Sequence, residues 1–210
     1  MSTYNNLLEG NKNWVEEQLK KDKNYFKNLA KGQTPQFLFI GCSDSRVPPN
    51  EITQSDPGQM FIHQNIANLV INTDINFASV LHYAVEVLHV KDIIVCGHYE
   101  CGGIKTAMSN LDIDIINKWL RTIKEVYQNH IEELEAIKDI KQRENRLVEL
   151  NVIDQVINLA KTSVVQKAWK KRELKIHGWV IDLHTGYFKD LNVMVDEIKD
   201  LPEIFRFDLD

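Results

Sequence analysis

The sequence predicts an α/β fold: a mostly parallel central β-sheet flanked by helices, with an N-terminal helical arm and an antiparallel edge strand near the C-terminus. Three observations carry this prediction. First, FLFIG (37–41), MFIH (60–63) and DIIVCG (92–97) are short, nearly continuous apolar runs, as in strands buried on both faces. Second, INFASVLHYAVEVLHV (75–90), between the last two runs, keeps Phe77, Val80, Leu81, Ala84, Val85 and Leu88 on a 3.6-residue period. Strand, helix and strand in that order pair in parallel through right-handed crossovers. Third, IHGWVIDL and YFKDLNVMV flank Thr185 and Gly186, which reads as a strand, a turn and a further strand at a sheet edge.

The remaining elements follow from the same patterns. Residues 5–31 carry Leu7, Leu8, Trp14, Leu19, Phe26 and Leu29 at loosely helical spacing among Lys, Asn and Glu, with Gly32 as a stop, and predict two amphipathic helices. Residues 112–172 are strongly helical, and the charged stretch from Lys124 to Glu149 within them predicts a solvated helical hairpin. No repeat, low-complexity tract or Pro/Gly-rich linker divides the chain. A single domain over 1–210 is expected, made of a helical arm (1–32), an α/β core (33–184) and a C-terminal strand and tail (185–210).

Composition narrows the function classes. With 43% hydrophobic and 26% charged residues, the 210-residue chain has the make-up of a soluble globular protein. Its formal net charge of −5 offers no electrostatic footprint for nucleic acid or an anionic membrane. No apolar run approaches the roughly 20 residues of a membrane span, and MSTYNNLLEGNKN lacks the basic and apolar regions of a signal peptide, so a cytoplasmic protein is expected. Three cysteines are too few for a disulfide scaffold. In a reducing compartment, clustered cysteines bind metal or do catalysis more often than they cross-link.

Two polar clusters stand where apolar strands run out: Cys42, Asp44 and Arg46 in GCSDSRVPPN, and His98 and Cys101 in GHYECGG. In doubly wound sheets the ligand crevice lies beyond the carboxyl ends of the strands, so the two clusters can meet. Two thiolates and an imidazole are a preferred zinc set, and three protein ligands with an open fourth position describe a catalytic site. Cys96 competes for the metal, and a set of Cys42, Cys96, His98 and Cys101 would close a structural site. However, Cys96 and His98 are separated by about 6.8 Å along a regular strand. A cysteine among Ile93, Ile94 and Val95 reads better as a small buried hydrophobe. His63, His82, His89, His130, His177 and His184 have no comparable partners in sequence and read as surface or satisfied core residues.

From the region of Trp14 through KGQTP, GCSDSR, NIANLV, GHYECGG, the long helices and IHGW, the chain resembles the β-class carbonic anhydrases, of the bacterial type. The resemblance implies reversible hydration of carbon dioxide to bicarbonate and a proton, by attack of zinc-bound hydroxide. Carried over by position, one Zn²⁺ per subunit would be held by Cys42, His98 and Cys101, with Asp44 and Arg46 as the catalytic dyad. Asp44 would be the fourth ligand in a closed state. Gln33, Phe61, Ile66, Tyr83 and Gly102 would contact or line the substrate site. The N-terminal helices would embrace a neighbouring subunit, giving a homodimer or a dimer of dimers.

The residue types suit that chemistry. Carbon dioxide is small and apolar and needs an apolar wall, which Phe61 and Tyr83 offer, whereas bicarbonate needs a donor such as Gln33. Arg46 can hold the Asp44 carboxylate in a bidentate fork that lysine cannot reproduce. The sequence departs from the branch of the family in which bicarbonate inhibits by binding a Trp, Arg and Tyr pocket. Phe39, Gln64 and Ile181 occupy the matching positions, so that pocket has lost its cation and two of its three donors.

Overall fold

The structure, a computed structural model, describes residues 3–209. The chain forms two compact units, one ending at Thr34 and the other beginning at Pro35. In the first, α1 (Thr3–Lys21) and α2 (Tyr25–Leu29) form the two expected helices. Trp14, Tyr25 and Phe26 meet edge to face there, with Trp14 and Phe26 ring centroids 5.4 Å apart. Tyr4, Leu7 and Leu8 of α1 are exposed.

In the second unit the order is β1 (Phe37–Cys42), α3 (Pro49–Ile52), β2 (Met60–Asn65), α4 (Ile75–His82), β3 (Asp92–His98) and α5 (Gly102–Met108). Then follow α6 (Ile115–Asn129), α7 (Ile131–Ala136), α8 (Ile140–Ala160), α9 (Ser163–Lys171), β4 (Lys175–Ile181) and β5 (Phe188–Val195). The sheet order is β2-β1-β3-β4-β5. All pairs are parallel except β4 with β5, the expected antiparallel edge. The register sets Cys42 opposite Asn65 and Gly41 opposite Cys96, so β1 and β3 end at the same level.

Alternation along the strands divides the core. Leu38, Ile40, Ile93 and Val95 join the main cluster with Val148, Val152 and Val156 of α8, while Phe39, Ile94 and Cys96 form a smaller cluster of their own. Burying each such aliphatic side chain contributes about 1.5–3 kcal/mol. The close approach of α8 requires a glycine in β3: a Cβ on Gly97 would lie 2.7 Å from Val152 Cγ2.

Three sequence expectations need correction. MFIH is not a strand buried on both faces: β2 is an edge strand, and of its residues only His63 is fully buried. The helix over 75–90 keeps its buried face at Phe77, Leu81, Ala84 and Val85, but after His82 it widens into a π-turn over Tyr83–Val87, where the Leu88 amide reaches the Tyr83 carbonyl at 2.9 Å. The charged stretch 124–149 is not a solvated hairpin. It spans the end of α6, α7 and the start of α8, and buries Val126, Leu134, Leu147 and Val148 on inward-facing helix positions. Its charges pair in part with one another, as Arg146 does with Glu133 at 2.5 Å.

Candidate metal centre and active site

Each member of the central group is placed by the end of a regular element. Cys42 is the last residue of β1, His98 is the last of β3, and Cys101 immediately precedes α5. All three are buried, and their ligand atoms lie within 4.8 Å of one another. The His98 ring is oriented by its Nδ1, which donates to the Tyr99 carbonyl at 2.9 Å. That bond assigns the proton to Nδ1 and leaves Nε2 as a lone-pair donor. Nε2 is fully buried and has no hydrogen-bond partner among the described residues. A buried polar atom is ordinarily satisfied. An orphaned imidazole nitrogen beside two buried sulfurs is the donor set of a zinc-type ion, so the residues fit that metal.

Cys42 accepts from the Ala67 amide at 3.4 Å. Its thiol is pulled well below the usual range, chiefly by a hydrogen bond from Cys101 and against the effect of burial, with His98 and the Ala67 amide adding to the shift. The same bond, together with burial, pushes Cys101 up.

Beyond Cys42 the chain turns sharply, with Ser43 N–H on the Asn65 carbonyl at 2.9 Å and Val47 N–H on the Asp44 carbonyl at 3.1 Å. Arg46 then reaches back to Asp44: Nε donates to Oδ1 at 2.9 Å and NH2 donates to Oδ2 at 2.8 Å. The Arg46 hydrogen bonds hold the Asp44 carboxyl far below the ordinary range. Asp44 Oδ2 is 3.7 Å from His98 Nε2. Arg46 NH2 also touches the Glu100 carbonyl at 3.3 Å, tying the first motif to the second. Lys105 and Lys141 pair with the Glu100 side chain and lower its pKa to about 2.

The other anticipated residues are placed differently. Gly102 is the first residue of α5, with open space where a Cβ would stand. Ile66 follows β2 and packs near Gly103, whose Cβ would be 3.1 Å from Ile66 Cγ2. Phe61 and Tyr83 stack on each other with centroids 5.7 Å apart. Phe61 stands four residues before Asn65, the register partner of Cys42, a rise of about 13 Å along the strand. The Phe61 backbone therefore does not adjoin the Cys42 of its own chain. Gln33 lies in the first unit and is exposed. Cys96 stays outside the three-residue group, in the smaller core cluster, where burial pushes its thiol up to about 12.

Sequence reasoning missed a polar hub behind the site. Glu149 of α8, 8% exposed, accepts from Tyr99 Oη and Lys189 Nζ, each at 2.6 Å, and from Arg146 NH1 at 2.9 Å. It anchors the residue whose carbonyl orients His98. The only sequence signal was the position of Tyr99 inside GHYECGG.

A family model described as Carbonic anhydrase matches residues 37–188. A carbonic anhydrase of Emericella nidulans is 49% identical over 91% of this chain and 84% of its own length. One from Pseudomonas aeruginosa is 37% identical over 77% of this chain and 75% of its own. A tetrameric β-carbonic anhydrase of the filamentous ascomycete Sordaria macrospora superposes with a TM-score of 0.90 at 40% identity, covering 92% of this chain and 98% of that one. The chain belongs to the carbonic anhydrase family, in its β class. It is an enzyme of the carbon–oxygen lyase type, with fungal and bacterial relatives both matching.

Proposed function

We propose that the chain catalyses the zinc-dependent, reversible hydration of carbon dioxide to bicarbonate and a proton, with Cys42, His98 and Cys101 holding the metal. The observation that carries the reading is the orphaned, buried His98 Nε2 beside two buried sulfurs, with a fork-held carboxylate 3.7 Å away. A Cys96 ligand would close the site, and its place in the smaller cluster favours three ligands and an open position. Bound there, zinc would supply hydroxide near neutral pH by lowering the pKa of water.

The protein's own groups do the rest. Asp44, kept ionised by Arg46, accepts a hydrogen bond from the attacking oxygen and so directs a lone pair at the carbon of CO2. The Gly102 amide and the Gln33 side chain are the proposed donors to the substrate and to bicarbonate. Because the Phe61 backbone stands away from its own Cys42 and Tyr83 stacks on Phe61, we assign both, with Gln33, to the site of a second copy. The exposed Tyr4, Leu7 and Leu8 of α1 supply an apolar face for such an assembly, a homodimer or dimer of dimers. The cytoplasm is the proposed compartment, in keeping with three free thiols.

The ligand assignment is tested by metal analysis of purified variants. Cys42→Ser, His98→Ala and Cys101→Ser are each expected to lose bound zinc, and Cys96→Ser to keep it. Zinc loss from a folded Cys96→Ser protein would refute the three-ligand assignment.

A further inference from the structure

Behind Cys42 the loop from Ile66 to Val70 holds an unusual backbone. Ala67 has φ +65° and Asn68 φ +51°, a left-handed conformation in two successive non-glycine residues. Such backbone persists only where its surroundings over-determine it. Both sides of Ala67 are pinned: its amide donates to Cys42 Sγ at 3.4 Å, and its carbonyl accepts from Asn151 Nδ2 at 3.1 Å. Asn151 is braced in turn by Gln155, whose Nε2 donates to Asn151 Oδ1 at 3.1 Å and whose Oε1 accepts from the Val70 amide at 2.9 Å.

The two amides occupy successive turns of α8, 1% and 0% exposed, beside Val148, Val152 and Val156 of the same helix, which belong to the main core cluster. Buried amides are costly unless satisfied, and apolar residues of similar size would fill the same space without that demand. Gln155 Oε1 also accepts from Asn158 Nδ2 at 3.4 Å, but both bonds that leave α8, to the Ala67 carbonyl and from the Val70 amide, go to the loop that reaches the Cys42 sulfur. An N–H···S bond fixes the direction in which the sulfur presents its lone pairs and lowers their energy, so it helps set both the ligand's orientation and the energy of a sulfur-to-metal charge-transfer band.

We propose that Asn151, braced by Gln155, is a positioning residue for the metal centre: by holding the Ala67 carbonyl it fixes the left-handed backbone of Ala67, and with it the direction in which the Ala67 amide donates to Cys42. The proposal rests on the reading of Cys42 as a ligand. Outer-shell partners of this kind typically change metal affinity about 10- to 100-fold when removed.

The test compares full-length wild type with Asn151→Leu, which removes the donor to Ala67, and with Val152→Ala, which loosens α8 without touching the ladder. Zinc affinity is read by competition with a chromogenic chelator, and the sulfur-to-metal charge-transfer band is read after cobalt(II) substitution. Asn151→Leu is expected to bind zinc about 10- to 100-fold more weakly, with the cobalt band moved to lower energy. Val152→Ala should lower the melting temperature yet leave both readouts in place. If Asn151→Leu does not fold, Gln155→Met, which keeps the donor but removes its brace, is expected to move both readouts in the same direction by less. A folded Asn151→Leu protein with unchanged affinity and band, or an equal shift in Val152→Ala, would overturn the positioning role. A wild type with no sulfur-to-cobalt band would instead overturn the ligand reading, and this proposal with it.

Discussion

Arg46 grips Asp44 with two parallel N–H···O bonds of 2.9 and 2.8 Å, and the gripped carboxylate points an oxygen to within 3.7 Å of the unpaired His98 nitrogen. A fork of this kind fixes direction as well as charge. Arg46→Lys keeps the charge and loses the second bond, so the carboxylate is free to swing. We predict a fall of about 100-fold in CO2 hydration, the scale of a misplaced catalytic group, with zinc content unchanged. Stopped-flow hydration alongside metal analysis checks it. Full activity in Arg46→Lys would mean that geometry at Asp44 is immaterial.

The Glu149 hub predicts an acid limb in stability. Burial pushes the Glu149 carboxyl up, but Lys189, Tyr99 and Arg146 together outweigh it, so the group sits below the ordinary value of 4.5. A carboxyl depressed in the folded state contributes stability that is present above the ordinary value and lost as pH falls through the lower folded value. Thermal melts of the wild type should therefore decline below about pH 4.5. Glu149→Gln should be less stable near neutrality, by about 1–3 kcal/mol for the broken charged bonds, and should show a shallower decline in acid. Parallel acid limbs in the two proteins would remove Glu149 from the account.

Bicarbonate is predicted to act only as a product. Phe39 and Ile181 are buried at 2% and 3% exposure, and the Gln64 amide is engaged with the Cys42 carbonyl at 2.9 Å. No cation stands at these three positions, and a ligand shifts an equilibrium only by its differential affinity for the two states. Titrating bicarbonate at fixed pH and ionic strength should give simple competition. Steep cooperative inhibition would show that the positions still form a working pocket.

Assembly carries a prediction about shared sites. If Gln33, Phe61 and Tyr83 serve a second copy, activity requires the oligomer. Light scattering and hydration measured across a dilution series should fall together. A fully active monomer would refute the shared site.

Much of this was legible in the sequence. The buried strands β1 and β3 announced themselves as unbroken apolar runs, and a parallel sheet aligns strand ends, so Cys42 and His98 could be brought together from spacing alone; MFIH has the same apolar look although β2 is a half-buried edge strand. The Asp44–Arg46 fork was legible because its members are two residues apart. Other features lacked a local signal. Tyr99 meets Glu149 across 50 residues and Lys189 meets Glu149 across 40. Asn151 and Gln155 look like polar residues on a solvated helix until the fold turns them inward. The π-turn after His82 leaves the 3.6-residue pattern intact on its buried face and is therefore silent in the sequence. The stretch 124–149 misled because its charges outnumber the few apolar residues that set its direction.

The most direct test of the central claim is a zinc titration of the metal-free protein followed by the CO2 hydration rate. The account predicts no hydration above background at the start, a linear rise, and a break at one zinc per subunit, with no rise in His98→Ala. Hydration by the metal-free protein, or the same rise in the His98→Ala protein, would contradict it.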